Sequence, residues 1–339
     1  MRKWMLLSGL TLIGCATPIT SSSPNSSEPE MESNGSKSSE IEYTLPADDH
    51  ERIYLYKNGN VPYDGSGDEK YAFLTPYLAE HPTGGAVIVF PGGGYTHLSN
   101  STAIEGQKQG GTNNDGDQKE ASAIVPWYNA KGISVFVLNY RTTLVDSKLD
   151  YHGLLSDATR AFKVLESKKS KYHIDHICSM GFSAGGHLAL MAAEQKEFEI
   201  YDPEYSKDEI DGLIYSIDSL VLGYPVASFL DGLTHASTRR VFTGNNPELF
   251  DDFSPELHVG EDFPSTYLFH EKKDPTVPFA ASQALDEALT FFDVDHRFSA
   301  FEDDASEETP LHGFGVNQNL TDASKWMDES TAFLKERGF

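Results

Sequence analysis

Cysteine is nearly absent from this chain, with only Cys15 and Cys178 among 339 residues. No disulfide framework can staple a small loop-rich fold, so the core has to hold itself together. Positive charge is also scarce: 26 Lys and Arg face 52 Asp and Glu, a formal net charge of -26. Such an acidic surface repels phosphate backbones and anionic headgroups, which argues against nucleic acid as a partner. The apolar stretch near the amino end falls short of the roughly 20 residues that span a bilayer. No Gly-Lys-Ser/Thr follows the glycine-rich segments and no His-x-x-x-His or Cys-rich spacing occurs. A phosphate loop is therefore disfavoured, and neither metal nor organic cofactor is expected.

What is present begins at the amino end. Arg2 and Lys3 precede the apolar stretch Trp4 to Ile13, which closes on Leu12-Ile13-Gly14-Cys15. A basic start followed by a short apolar segment reads as a secretion signal. The four closing residues resemble the processing site of bacterial lipoproteins, in which the cysteine becomes the acylated first residue of the mature chain. That resemblance implies a lipid anchor at Cys15 as the only membrane contact, each buried methylene contributing about 0.8 kcal/mol. Ala16 is no inner-membrane retention acid, so the implied destination is the outer membrane or surface of a bacterial cell envelope. Residues 16 to 46 are rich in Ser, Pro and Glu with almost no large apolar side chain. Such a stretch cannot offset its ordering entropy by burial and is expected to act as a tether. The expected organisation is a signal peptide over 1–15, a tether over 16–46 and one catalytic domain over 47–339.

Beyond the tether, near-continuous apolar runs recur at Ala86 to Phe90, Ile133 to Leu138, Ile177 to Met180, Ser219 to Leu222 and Tyr267 to His270. Runs without polar alternation suit strands covered on both faces, and Ile53 to Tyr56 can add an edge strand. Leu154 to Lys168, Gly186 to Gln195 and Ala281 to Phe292 carry apolar residues at helical spacing. Alternating strands and helices predict an α/β fold, a mostly parallel doubly wound sheet with ligands at the carboxyl ends of its strands. Cys178 falls inside one apolar run and is expected to be a buried hydrophobe without a chemical part. The segment 98–119 reads as a long loop; its Asp115 and Asp117 lack the rest of a calcium-binding loop. Glu302 to Glu308 reads as a solvated acidic connection.

The chemistry concentrates in Gly181-Phe182-Ser183-Ala184-Gly185-Gly186, between a predicted strand and a predicted helix. A serine lifted on so sharp a turn needs neighbours without side chains, and the helix behind it offers backbone N–H groups to a developing oxyanion. A second set of open N–H groups is offered by Phe90-Pro91-Gly92-Gly93-Gly94-Tyr95, similar to the HGGG-type loop of lipases with Pro91 in place of histidine. Gly93, Gly94 and Ala184 are the expected oxyanion donors. An acid and then a histidine should follow in chain order. Asp274, after the strand ending at His270, is the candidate acid, ahead of Asp293 and Asp304. His312, in a glycine-flanked loop after the strand-like His296 to Phe301, is the candidate base, ahead of His187 and His270. Ser183 is then the expected nucleophile of an acyl-enzyme mechanism.

Together with Trp127 to Ile133, Leu138-Asn139-Tyr140-Arg141, Asp157 to Ala161, Gly223-Tyr224-Pro225-Val226 and Asp274 to Pro278, these motifs make most of the chain resemble one family. It is similar to the BD-FAE-like α/β-hydrolases, which include acetyl xylan esterases and stand close to the hormone-sensitive-lipase-like esterases. The resemblance implies an α/β-hydrolase fold and a serine carboxylesterase acting on short-chain, chiefly acetyl, esters. It implies an acylated polysaccharide or oligosaccharide such as xylan as substrate, and a structural role for Arg141 and Asp157. The long segment after Leu98 and the acidic stretch before His312 depart from the family pattern, which weakens the carry-over of substrate. Two other readings stay open: an exopeptidase related to prolyl oligopeptidase, and a catalytically silent binding protein on the same fold.

Overall fold

The structure is a computed structural model that describes residues 52–63, 69–99, 124–196, 198–306, 310–317 and 319–339. Cys15, the expected tether and most of the expected loop over 98–119 lie outside the described residues. Eight strands form one sheet: β1 Ile53–Tyr54, β2 Phe73–Tyr77, β3 Gly85–Phe90, β4 Ser134–Asn139, β5 His176–Phe182, β6 Ser219–Gly223, β7 Ser265–Glu271 and β8 His296–Phe301. Their order is β1-β2-β4-β3-β5-β6-β7-β8. The β1–β2 and β2–β4 pairs are antiparallel and every later pair is parallel. This is the mostly parallel, doubly wound sheet that the alternating pattern predicts, in the α/β-hydrolase arrangement that the resemblance implies.

The helices are α1 Val125–Asn129, α2 Tyr151–Glu166, α3 Lys169–Tyr172, α4 Ala184–Glu194, α5 Ala236–Thr243, α6 Phe279–Phe291 and α7 Trp326–Lys335. Why the strands read as unbroken apolar runs is visible in their side chains. Ala86, Ile88 and Phe90 of β3 enter one core with Leu154, Phe162 and Leu188. Val87 and Val89 of the same strand enter a second core with Tyr128, Trp326 and Phe333. Alternate residues thus serve opposite layers, and both layers are apolar. Each fully buried side chain of this size contributes roughly 1.5–3 kcal/mol. Cys178 belongs to the second core and is inaccessible, its thiol pushed up by burial.

The structure departs from the sequence reading at three places. β1 covers only Ile53–Tyr54, and the reading does not anticipate β2, whose Pro76 argues against a strand. The proline is tolerated because β1 pairs only with Phe73 and Leu74, leaving the outer side of β2 without a ladder at Pro76. The acidic connection after β8 is not wholly solvated either. Lys272 and Lys273 pair with exposed Glu302 and Asp304, but Asp303 is buried. Its carboxylate accepts from the N–H groups of Thr321, Asp322 and Ala323 at 2.8–3.1 Å, organising the entry to α7.

Arg141, two residues after the end of β4, takes the place the resemblance assigns it. Its guanidinium holds Asp157 of α2 at 2.8–3.2 Å and also donates to the carbonyls of Pro62 and Gly153. Both side chains are essentially inaccessible, so the pair ties strand to helix inside the core.

Candidate active site

Between β5 and α4 the backbone reverses at Ser183, with φ 54 and ψ -122. A serine at positive φ costs on the order of 1–3 kcal/mol unless its surroundings fix it. They do so on both sides: the Ser183 N–H donates to Gly223 O at 3.0 Å, and its carbonyl accepts from Val226 and His187. The flanking glycines leave no space for side chains. A Cβ on Gly181 would lie 2.4 Å from Gly185 O, one on Gly185 2.2 Å from Phe90 O, and one on Gly186 2.7 Å from Pro225 Cβ. The turn therefore closes against β3 and the β6 loop, with the serine on its crest.

Asp274 leaves β7 through a tight turn in which its Oδ1 accepts from the N–H groups of Thr276 and Val277 at 2.7 and 3.0 Å. His312 follows Leu311 in a loop where Gly313 and Gly315 take positive φ. That loop is pinned on both sides of Gly315: its N–H donates to the Tyr224 hydroxyl, and its carbonyl accepts from Trp326 Nε1 at 2.7 Å. The Tyr224 ring lies 4.9 Å from the His312 ring and 4.8 Å from that of Phe314.

The structure brings Ser183, His312 and Asp274 into one hydrogen-bonded chain. Ser183 Oγ lies 3.0 Å from His312 Nε2, and His312 Nδ1 lies 2.7 Å from Asp274 Oδ2. A carboxylate only accepts, so Nδ1 carries the proton and Nε2 presents a lone pair to the serine hydroxyl. Burial pushes the Asp274 carboxyl up, but hydrogen bonds from His270 and His312 outweigh it and hold the group well below the usual carboxylate range. Such an arrangement can deprotonate a serine as it attacks and steady the imidazolium that forms.

Of the rival residues, neither Asp304 nor Asp293 enters this chain: Asp304 pairs with Lys273, and Asp293 makes the turn after α6. His270 does enter it, as a second partner of Asp274 rather than as a base. Its Nε2–H donates to Asp274 Oδ2 at 3.1 Å, so its Nδ1 accepts from Ser282 Oγ at 2.8 Å. His187 lies in α4 with Nε2 donating to Phe253 O at 3.0 Å and Nδ1 accepting from the Tyr95 hydroxyl at 2.7 Å. Burial pushes its imidazole down to about 4, so it is neutral and ties the glycine loop to the elbow helix.

In that glycine loop the carbonyls are occupied. Pro91 O accepts from Tyr140, Gly92 O from Ser99, and Gly93 O from Thr96 and His97. Gly93, Gly94 and Tyr95 all have positive φ, and a Cβ on Gly93 would fall 2.0 Å from His97 O. Among the described residues, no acceptor meets the N–H of Gly93, Gly94 or Ala184. Two residues beside the site carry no role in the sequence reading: Tyr224, signalled only by Gly-Tyr-Pro after a strand, and His235, signalled by nothing local.

The BD-FAE family model matches residues 87–289, more than half of the chain. The chain belongs to the BD-FAE family. Among curated relatives, endo-1,4-beta-xylanase B of Butyrivibrio fibrisolvens is 31% identical over 208 residues, 60% of this chain and 29% of that protein. The acetylxylan esterase of Xylanibacter ruminicola is 26% identical over 218 residues, 62% of this chain and 38% of that protein. The chain thus spans well under half the length of these relatives. Among solved structures, an acetyl ester-xyloside bifunctional hydrolase from Caldicellulosiruptor lactoaceticus superposes with a TM-score of 0.69 at 28% identity, covering 86% of this chain and 97% of that one. A thermophilic esterase from Thermogutta terrifontis superposes with a TM-score of 0.64 at 20% identity, covering 87% of this chain and 96% of that one, a likeness of fold alone.

Proposed function

We propose that this BD-FAE member is a serine carboxylesterase that removes acetyl groups from an acylated polysaccharide or oligosaccharide such as xylan. The observation that carries the reading is Ser183 on a strained elbow with its Oγ 3.0 Å from the unprotonated nitrogen of His312. In this reading Ser183 Oγ attacks the ester carbonyl while its proton passes to His312 Nε2. The oxyanion takes hydrogen bonds from the N–H groups of Gly93, Gly94 and Ala184, which lack acceptors among the described residues. The alkoxide departs with the proton from His312, leaving an acetyl-Ser183. Water then loses a proton to His312 as it attacks, and acetate leaves with Ser183 restored. Asp274 stays ionised throughout and keeps the imidazole in one tautomer.

The acetyl and polysaccharide parts are supported by the names of the xylan-related relatives and of the Caldicellulosiruptor structure. The test is acetate release from acetylated xylan and from p-nitrophenyl acetate, comparing wild type with Ser183→Ala. Cleavage of both, abolished by the substitution, is the expected result. Cleavage of the small ester alone would leave the esterase and remove the polysaccharide. We also propose, from the sequence of residues 1–46, that the domain over 47–339 is tethered to a bacterial envelope through lipid on Cys15. Cys15→Ser should release active protein from the membrane fraction; retention there would overturn the anchor.

A further inference from the structure

His235 precedes α5 with its ring against the glycine loop. A Cβ on Gly94 would lie 3.8 Å from His235 Cε1, 3.9 Å from Thr238 Oγ1 and 4.0 Å from Thr96 Oγ1. These three side chains therefore form a polar wall over Gly94, one of the three proposed oxyanion donors. The His235 ring thus stands directly beside the glycine loop that carries two of the proposed oxyanion donors.

The orientation of its protons follows from Thr238. That hydroxyl is fully buried, and among the described residues its only hydrogen-bond partner is His235 Nδ1, at 2.8 Å. A buried hydroxyl uses its proton when one acceptor is in reach. Thr238 therefore donates to Nδ1, and the ring proton sits on Nε2. Burial pushes the imidazole down from its ordinary value, reinforced by His312 and opposed by Asp274, so the ring is neutral at pH 7. The Nε2–H, on the atom next to Cε1, meets no acceptor among the described residues, and the ring is only partly buried.

We propose that His235 is a substrate-positioning residue whose Nε2–H donates a hydrogen bond to a free hydroxyl on the alcohol portion of the ester. This rests on the acetylesterase reading. An acetyl group offers one accepting oxygen once the ester is bound, and three backbone N–H groups already serve it; its methyl accepts nothing. A fourth donor on the loop side has only the oxygens of the alcohol to serve. The protein should therefore select esters of polyols and sugars over esters of simple alcohols. A donor left unpaired by the wrong substrate discriminates more sharply than an apolar contact.

The test compares kcat/KM for glycerol monoacetate with kcat/KM for ethyl acetate in wild type, His235→Phe and His235→Gln. Fluorophosphonate labelling of Ser183 counts competent sites in each preparation. Wild type should prefer the hydroxylated ester, and His235→Phe should lower that preference about tenfold, ~1.4 kcal/mol. His235→Gln, which restores an amide N–H near the same place, should recover most of it. A fall of less than threefold in His235→Phe, or equal loss in His235→Gln, overturns the proposal. So does a parallel loss on both esters, which would mark His235 as an oxyanion donor. Failure of wild type to hydrolyse either ester defeats the esterase reading itself.

Discussion

A Cβ on Gly185 would stand 2.2 Å from the carbonyl oxygen of Phe90 and 2.3 Å from that of Pro91. The obstacles are backbone atoms at the end of β3, so no side chain can swing aside. Gly185→Ala should push α4 away from the glycine loop and separate Ser183 from the N–H groups opposite. The expected loss is about 1–3 kcal/mol of stability, typical of overpacking, and on the order of 10²-fold in activity from displaced reacting groups. Thermal unfolding and p-nitrophenyl acetate hydrolysis measure both. Gly260→Ala is the control, since a Cβ there meets nothing within 4 Å; it should change stability by less than about 0.5 kcal/mol.

His270 should matter through Asp274. Two imidazoles and two backbone N–H groups share the Asp274 carboxylate, and His270→Phe removes one charge-assisted partner of a group with an inaccessible side chain. The carboxyl should become easier to protonate. Activity should fall roughly tenfold, the worth of about one hydrogen bond to a charged group, and its acid limb should move to higher pH. A pH–rate profile of kcat/KM separates this from simple destabilisation, which would lower the plateau and leave the limb in place.

Much of this arrangement is legible in the sequence, and the parts that are not share a cause. Ser183, Asp274 and His312 announce themselves because each needs a local peculiarity: glycines around an elbow, an Asp-Pro turn after a strand, glycines around a loop histidine. The central strands are legible because alternate side chains serve two apolar cores. β2 is hidden by Pro76, which only the shortness of β1 makes tolerable. Asp303 hides in an acidic run, since burial of one carboxylate among exposed neighbours depends on the distant N–H groups of Thr321 to Ala323. The second partner of Asp274 and the wall made by His235 are likewise tertiary facts, written in no spacing.

Glu256 gives the folded state a pH dependence of definite sign. It is buried in the 3-10 turn Pro255–Leu257, and burial pushes its carboxyl up to about 7. A folded-state value above the unfolded one means that the folded protein holds the proton longer. Its stabilisation is complete below the ordinary carboxylate range and is lost as pH rises through about 7. Glu256→Gln removes the ionisation, so the variant should gain on wild type by about 2–3 kcal/mol between pH 5 and pH 8. Melting curves at the two pH values should differ in that sense by on the order of 5 °C. An equal difference at both would show that Glu256 stays ionised in the folded state.

Asp303 makes the opposite prediction. Burial pushes its carboxyl up, but the N–H groups of Ala323, Asp322 and Thr321 hold it below its ordinary value. Its stabilisation is present above the unfolded value and is lost as pH falls through the folded one. Removing the carboxylate leaves three backbone donors short of an acceptor at the entry to α7, whose Trp326 anchors Gly315 three residues beyond His312. Asp303→Ala should therefore cost about 2–3 kcal/mol at pH 7, through unpaired donors, and Asp303→Asn less, because one accepting oxygen remains. The damage should reach the site along a stated route. Amide hydrogen exchange over residues 311–316 should accelerate in Asp303→Ala, and kcat should fall more than KM rises, since the base loses its fixed position while the glycine loop is untouched. Exchange confined to residues 321–335, with kcat unchanged, would mean that the cap serves the helix alone.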